Sequence, residues 1–345
     1  MKSKTYIIAE IGVNHNGDTA LAKEMVTAAK RAGADAVKFQ TFSAERLASA
    51  HTPKVAYQKR TTGTEDSHQA MLAKLELSES QHVELKAYCD SLDIDFLSTP
   101  YDVQSARFLY ESLGLTTFKV ASADIVDLPL HKYLAEHATW SIVSTGMASL
   151  GEIERALACY RDVKNGNQAK VTLLQCVSNY PCGDESLNLA TLQTLKTAFQ
   201  VDVGYSDHAI GNVAAIMAVA LGGCVLEKHF TLDKDLPGPD HQASIDEAEL
   251  ASFVTDIRRA EQMIGTGIKM PQPEELEMRS VSRKSIFMTR AVAKGECLTE
   301  GHFTLKRPGT GLAPYILEEA VGSYAARDLN AGDMLRPGDF CYELN

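Results

Sequence analysis

The strongest constraint on the fold is a rhythm. Apolar, β-branched runs too short to be helices recur at 6–11, 36–39, 94–97, 117–121, 141–143, 171–174, 201–204 and 224–226. Helical patterns lie between most of them, for example 19–32, closed by Gly33, and 150–160, with Glu152 in its first turn. Eight strands alternating with helices predict an α/β chain folded as a (β/α)8 barrel. An open doubly wound sheet is the competing architecture. It is disfavoured because GVNHNG at 12–17 follows the first strand, in place of the G-x-G-x-x-G phosphate loop.

In such a barrel the residues closing each strand line the catalytic mouth. Here they are Glu10, then Lys38 and Gln40, Ser98 and Thr99, and Lys119 and Ser122. The later strands add Ser144 and Thr145, Ser178 with Asn179 and Tyr180, Ser206 and His208, and finally Lys228 and His229. His208 and His229 close consecutive strands, which lie about 4.8 Å apart if adjacent. Their imidazoles can then converge on one borderline divalent cation such as Mn²⁺, Zn²⁺, Fe²⁺ or Co²⁺, with water or substrate completing the coordination. Two buried, internally satisfied histidines are the alternative. Lys38 and Lys119 sit inside apolar strands, where an unpaired ammonium is costly. A bound phosphate or carboxylate is a natural partner, and an internal carboxylate such as Glu10 is the competing one. A strand-end serine taken alone is more often a helix N-cap than a ligand.

The formal net charge of -11 argues against nucleic acid or an anionic membrane as partner, so any anionic substrate must be held by locally placed Lys and Arg. The seven cysteines are odd in number and show no C-x-x-C spacing, which suits reduced thiols in a cytoplasm. The amino terminus runs almost at once into a strand and no long apolar span follows, so neither export nor membrane crossing is expected. Residues 41–74, rich in His, Lys, Arg, Gln and Thr, form an excursion at the catalytic face and are a candidate lid or a solvated loop. The barrel pattern stops near 268. Residues 269–284, with Pro271, Pro273 and several acids, read as a linker, and 285–345 as a small domain of short apolar pieces and turns. The segment 213–221 is apolar all round, which predicts burial on both sides, against a second subunit or beneath the small domain.

The motif series AEIGVNHNG (9–17), VKFQ (37–40), STP (98–100), FKVAS (118–122), STGM (144–147), GYSDH (204–208), EKHFT (227–231) and GPDH (238–241) resembles the sialic acid synthase family over the whole chain. These are phosphoenolpyruvate-dependent synthases of N-acetylneuraminate and related nine-carbon acids, legionaminate-type ones included. KRPG at 306–309 is similar to that family's antifreeze-like (SAF) domain. The resemblance implies domains at 1–268 and 285–345, and a reaction of phosphoenolpyruvate with an N-acylated amino-mannose of the N-acetylmannosamine type. The enol carbon attacks the open-chain aldehyde, water adds to the oxocarbenium carbon, and phosphate leaves by C–O cleavage. Phosphoenolpyruvate would be held by Lys38, Thr99, Lys119, Ser122, Ser144, Ser178 and Ser206. A divalent metal, Mn²⁺ with Mg²⁺ or Co²⁺ as alternatives, would be held by His208 and His229 as a Lewis acid. Glu10, Asp124 and Asp240 would handle protons or stabilise the oxocarbenium. Gln40, Tyr180 and Asp240 would contact the sugar, and Arg307 would reach into the partner's barrel of a domain-swapped homodimer. The chain departs from the family's pattern at Gln175-Cys176, where many bacterial members carry His-Cys, at Asp124, more usually Glu, and at Ala123, commonly Gly.

Among sugars, His241 after Asp240 disfavours the pseudaminate branch, while N-acetylmannosamine and 2,4-diacetamido-2,4,6-trideoxymannose both remain. A synthase of 3-deoxy-octulosonate phosphate would share the anion site but would not need 285–345. A metal-dependent hydrolase on the same barrel would usually want an H-x-H pair on the first strand, where this chain has Glu10. A non-catalytic sugar-binding module would leave two buried lysines beside a histidine pair unexplained.

Overall fold

In the computed structural model, residues 4–49, 51–54, 58, 67–163 and 169–343 are described. They form two compact units, one running through Thr266 and one beginning at Gly267. The candidate lid at 41–74 lies partly outside the described residues.

The first unit is built on eight parallel strands: β1 (Tyr6–Gly12), β2 (Ala36–Thr41), β3 (Asp95–Pro100), β4 (Thr117–Val120), β5 (Trp140–Ser144), β6 (Lys170–Cys176), β7 (Asp202–Asp207) and β8 (Val225–His229). Their spatial order β3-β2-β1-β8-β7-β6-β5-β4 follows the chain around a barrel, with β3 and β4 side by side at the seam. Local chemistry sets the ends of the intervening helices. The helix Thr19–Ala32 starts where Asp18 accepts from the amides of Ala20 and Leu21, and it stops at Gly33 in the left-handed region. The helix Leu150–Arg161 starts with a Ser149–Glu152 capping box.

Alternation along the strands makes two cores and the site from the same residues. Side chains of successive strand residues point to opposite faces. One set, with Ile7, Val37, Phe96, Phe118, Val143, Leu173, Tyr205 and Leu226, packs into the large outer core beneath the helices. The other set, Ile8, Ala36, Leu97, Ile142, Leu174 and Val225, fills the barrel interior. Two residues further along each of those strands, on the same inner face, come Glu10, Lys38, Thr99, Ser144, Cys176 and Glu227. The mouth chemistry therefore stands directly on the apolar plug.

Among the described residues of the excursion after β2 are the short helices Ala44–Leu47 and His68–Ala73. Phe42, Ala44, Ala48, Met71, Leu72 and Leu75 pack there with Val13 in an apolar cluster of their own. The helix Val213–Ala220 is not buried on both sides in the chain. Its small residues Ala214, Ala215 and Ala218 face the core, whereas Val213 is 69% and Met217 50% exposed, next to Ile210 at 82%. The second unit pairs Ser285–Met288 with Phe303–Lys306 and Tyr324–Ala325 with Phe340–Cys341, both antiparallel, over a small core that includes Ile286, Met288, Val292, Leu298, Leu329 and Leu335. No helix among the described residues is long and apolar enough to cross a membrane.

Candidate active site

The inner-face residues at the carboxyl ends of the strands open into a cavity of about 460 Å³. Glu10, Lys38, Gln40, Thr99, Lys119, Ser122, Asp124, Ser144, Ser178, Tyr180, Ser206, His208, His229 and Asp240 all line it. Arg307 belongs to the second unit. Four strand-end residues read from the sequence as mouth residues serve elsewhere. Lys228 is on the outer face, where it donates to Asp207 Oδ2 at 2.6 Å and to the carbonyls of Ala209 and Gly211. Ser98 is bonded to Thr41, Thr145 donates to the Leu174 carbonyl, and Asn179 donates to the Pro181 carbonyl. Lys228 is displaced from the mouth because it alternates with Glu227 and His229, which point inward.

A buried charge network occupies the floor. The Lys38 ammonium lies 2.6 Å from Glu10 Oε2, donates to Thr99 Oγ1 at 2.8 Å, and stands 3.7 Å from Glu227 Oε2. Lys119 stands 3.4 Å from Glu227 Oε1, which also accepts from Ser206 Oγ at 2.8 Å. Both the internal partner and the anion cavity expected for Lys38 are thus present at one place. Burial disfavours every charge here, and the balance differs by position. Glu227 between two ammonium groups overcomes its burial and is drawn down to about 2. Glu10 is pushed up to about 7 by burial, against the pull of Lys38 and with Glu227's charge adding to the rise. Burial lowers Lys119, whereas in Lys38 the two carboxylates outweigh burial and raise it. Asp124 rises to about 7 through burial and the neighbouring Asp127.

Two glycines allow this crowding. A Cβ on Gly146 would stand 2.5 Å from Ser178 Oγ and 2.8 Å from Ser122 Oγ, so only glycine lets both hydroxyls converge beside its amide. Gly12, at a bulge between β1 and β2, has φ +56 and would crowd Glu10 Oε1 if it carried a side chain.

On β7 and β8, Ser206 pairs in register with Glu227 and Asp207 with Lys228, so that His208 and His229 end side by side with ring centroids 5.7 Å apart. The Tyr180 ring lies 3.9 Å from that of His208 and 5.3 Å from that of His229. Gln40 donates to Glu10 Oε1 at 3.2 Å, and the Asp240 carbonyl accepts from Ser244 Oγ at 2.7 Å.

A model of the NeuB family matches residues 25–269, and one of the SAF domain matches residues 283–340. The chain belongs to the NeuB family. The chain is 44% identical over 335 residues to the N,N'-diacetyllegionaminic acid synthase of Campylobacter jejuni, covering 96% of this chain and 99% of the relative. It is likewise 44% identical over 331 residues to the Legionella pneumophila enzyme of that name, covering 96% and 93%. The crystal structure of N-acetylneuraminic acid synthetase from Leptospira borgpetersenii, in complex with citrate, superposes with a TM-score of 0.70 at 33% identity, covering 80% of this chain and 90% of that one.

NeuB-family synthases use a divalent metal, and the histidine pair suits one. His208 Nδ1 must donate to the Val177 carbonyl, 2.7 Å away, which makes Nε2 the lone-pair nitrogen, with the Cys176 thiol 3.9 Å from it. His229 Nδ1 is buried and has no hydrogen-bond partner. Burial keeps both rings neutral, His208 at about 4 and His229 at about 3, the latter lowered further by His208. Among the described residues no third His, Cys, Asp or Glu completes a metal cluster, so water or substrate oxygens must supply the other positions.

Glu227 was not singled out as a site residue from the sequence of this NeuB chain, although its place two residues before His229 puts it on the same inner face. His68 and Met71, which also line the cavity, carried no legible signal because the excursion has no strand or helix period long enough to orient its side chains.

Proposed function

We propose that this chain is a nonulosonic acid synthase. It condenses phosphoenolpyruvate with 2,4-diacetamido-2,4,6-trideoxymannose and water to give N,N'-diacetyllegionaminate and phosphate. The single observation that carries the reading is the pair of buried lysines, Lys38 and Lys119, in one cavity with the neutral histidines His208 and His229. Phosphate and carboxylate need the first pair and an aldehyde oxygen needs the second. The choice of sugar rests on the two 44% identical relatives, both named for that product.

In this reading Lys38 and Lys119 neutralise the phosphate and carboxylate, and Thr99, Ser122, Ser144, Ser178 and Ser206 direct hydroxyls at their oxygens. Ser144 Oγ is buried without a partner, as a hydroxyl reserved for ligand would be. His208 and His229 would hold the metal, Mn²⁺ by preference, which would supply Lewis-acid polarisation of the sugar aldehyde. Tyr180, its ring tilted against that of His208, and Gln40 orient the sugar so that the enol carbon meets the aldehyde carbon. Glu10 and Asp124, poised near neutral pH, accept and return the protons of the new hydroxyl and the attacking water, while Asp240 contacts the sugar across the cavity. Phosphate departs by cleavage of its bond to carbon, its charge still balanced by the two lysines.

We further propose domains at 1–268 and 285–345 joined by a linker, and a domain-swapped homodimer in which Arg307 of one copy completes the partner's barrel at the acylamino group. The exposed apolar side chains of Ile210, Val213 and Met217 support an interface between copies. A cytoplasmic location follows from the supply of phosphoenolpyruvate. The test is phosphate release from phosphoenolpyruvate with Mn²⁺, across N-acetylmannosamine, its 6-phosphate, 2,4-diacetamido-2,4,6-trideoxymannose and arabinose 5-phosphate. The highest kcat/KM is expected with the diacetamido sugar; silence with both acylamino sugars refutes the reading.

A further inference from the structure

One wall of the cavity is made neither by strand ends nor by charged groups. Leu47 and Ala48, at the end of the helix Ala44–Leu47, and Met71 and Leu72, from the helix His68–Ala73, present apolar side chains to it. Most of them belong to the separate cluster around Val13 and Phe42, and Leu47 packs against it, so the surface is preformed by its own small core. The same wall holds one polar group without a partner, His68, whose Nδ1 is buried with no hydrogen bond. The ring is half-buried, and burial and the charge of Lys54 lower its pKa. The aldehyde end of any sugar must go to the histidine pair and the phosphoenolpyruvate to the lysines. This wall is part of the remaining lining, along with Thr52, Gln58, Tyr101 and Met147, that is left for the far end of the sugar.

We infer that this wall is a specificity-determining subsite for the end of the sugar remote from the aldehyde, with Met71 and Leu72 packing on a C6 methyl group and His68 hydrogen-bonding a 4-acylamido group. The inference rests on the synthase reading and deepens it by naming what selects the sugar. A hydroxymethyl group would put a hydroxyl against the aliphatic carbons of Met71 and Leu72, a poorer match than a methyl group. A 4-hydroxyl, shorter than an acylamido group, would leave His68 Nδ1 without a partner, and an unpaired buried polar group is the stronger discriminator of the two.

The test uses the full chain with Mn²⁺ and three sugars that differ by one group at a time: N-acetylmannosamine, 2-acetamido-2,6-dideoxymannose, and 2,4-diacetamido-2,4,6-trideoxymannose. In the wild type kcat/KM rises along the series, by roughly tenfold or more at each step. His68→Ala collapses the second step to within about threefold while leaving the first step and the KM for phosphoenolpyruvate in place, and His68→Gln, which keeps a donor and an acceptor, restores part of it. Met71→Gln shrinks the first step. Met71→Leu, which conserves volume, keeps it and guards against a folding failure of the polar variant. An equal loss on all three sugars, or an unchanged ratio in His68→Ala, overturns the inference. So does a wild type that prefers N-acetylmannosamine, which would leave the synthase reading standing. Silence of the folded, metal-loaded wild type on all three refutes the synthase reading and the inference with it.

Discussion

Glu227→Gln keeps the shape of the side chain and removes the one charge that both cavity lysines share. Lys38 retains Glu10 at 2.6 Å, but Lys119 loses its one ion pair among the described residues, at 3.4 Å. Breaking a buried pair from one side costs about 3–5 kcal/mol, because the other charge stays buried and uncompensated. The cost has a ceiling. A lysine with an ordinary pKa can release its proton at pH 7 for about 5 kcal/mol, and Lys119 is already held below its ordinary value by burial. A loss of about 3–4 kcal/mol follows, roughly 5–7 °C in Tm for a unit of this size. Bound phosphoenolpyruvate supplies the missing counter-charge, and it no longer meets the repulsion of the Glu227 carboxylate. Differential scanning calorimetry with and without phosphoenolpyruvate should therefore show a lower Tm for the free variant and a larger ligand-induced rise than in the wild type. Titration calorimetry in the absence of sugar should show a Kd for phosphoenolpyruvate that does not weaken. An unchanged Tm, or a smaller ligand-induced rise than in the wild type, would refute the placement of the anion between these lysines.

Further outcomes are expected. His208→Ala and His229→Ala should each abolish turnover with the far-ultraviolet circular dichroism unchanged, and chelation of the wild type should do the same reversibly; activity that survives both would remove the metal from the mechanism. Asp124 has its folded-state pKa raised from 3.8 to about 7, chiefly by burial. Between those values the folded state holds a proton that the unfolded state has lost, so this group's contribution to stability falls as pH rises from about 4 to about 7, by up to about 4 kcal/mol. Asp124→Asn should flatten that slope in urea denaturation, and an unchanged slope would contradict the burial argument. Arg307→Ala should raise KM for the sugar by roughly 10- to 100-fold, the worth of a charged hydrogen bond, and leave that for phosphoenolpyruvate nearly unchanged. An equal rise in both would contradict its assignment to the acylamino group.

The eight strands and the barrel were legible because a strand buried on both faces leaves a short apolar run, and eight such runs spaced by helices have few ways to close. The pairing of His208 with His229 was legible for the same reason, since equivalent positions on consecutive parallel strands are neighbours once the barrel forms. What needed the tertiary structure was which face each side chain takes. Lys228 and His229 are adjacent in sequence and close the same strand, yet one anchors the loop behind β7 and the other faces the cavity. A period of two decides that, and only the register of β7 on β8 fixes its phase. Glu227 became visible by the same phase. The sharing of Lys38 between Glu10 and Glu227, and the opposite pKa shifts of those two carboxylates, depend on Glu227 meeting residues more than 180 positions before it in the chain. The wall at Met71 and His68 lay furthest from reach, because an excursion with no long period orients its side chains only by what it packs against. The sequence alone determined the scaffold and the chemical types at its rim; the three-dimensional fold decided which of them meet, because burial and distance set charge and hydrogen bonding, and neither is a property of order along the chain.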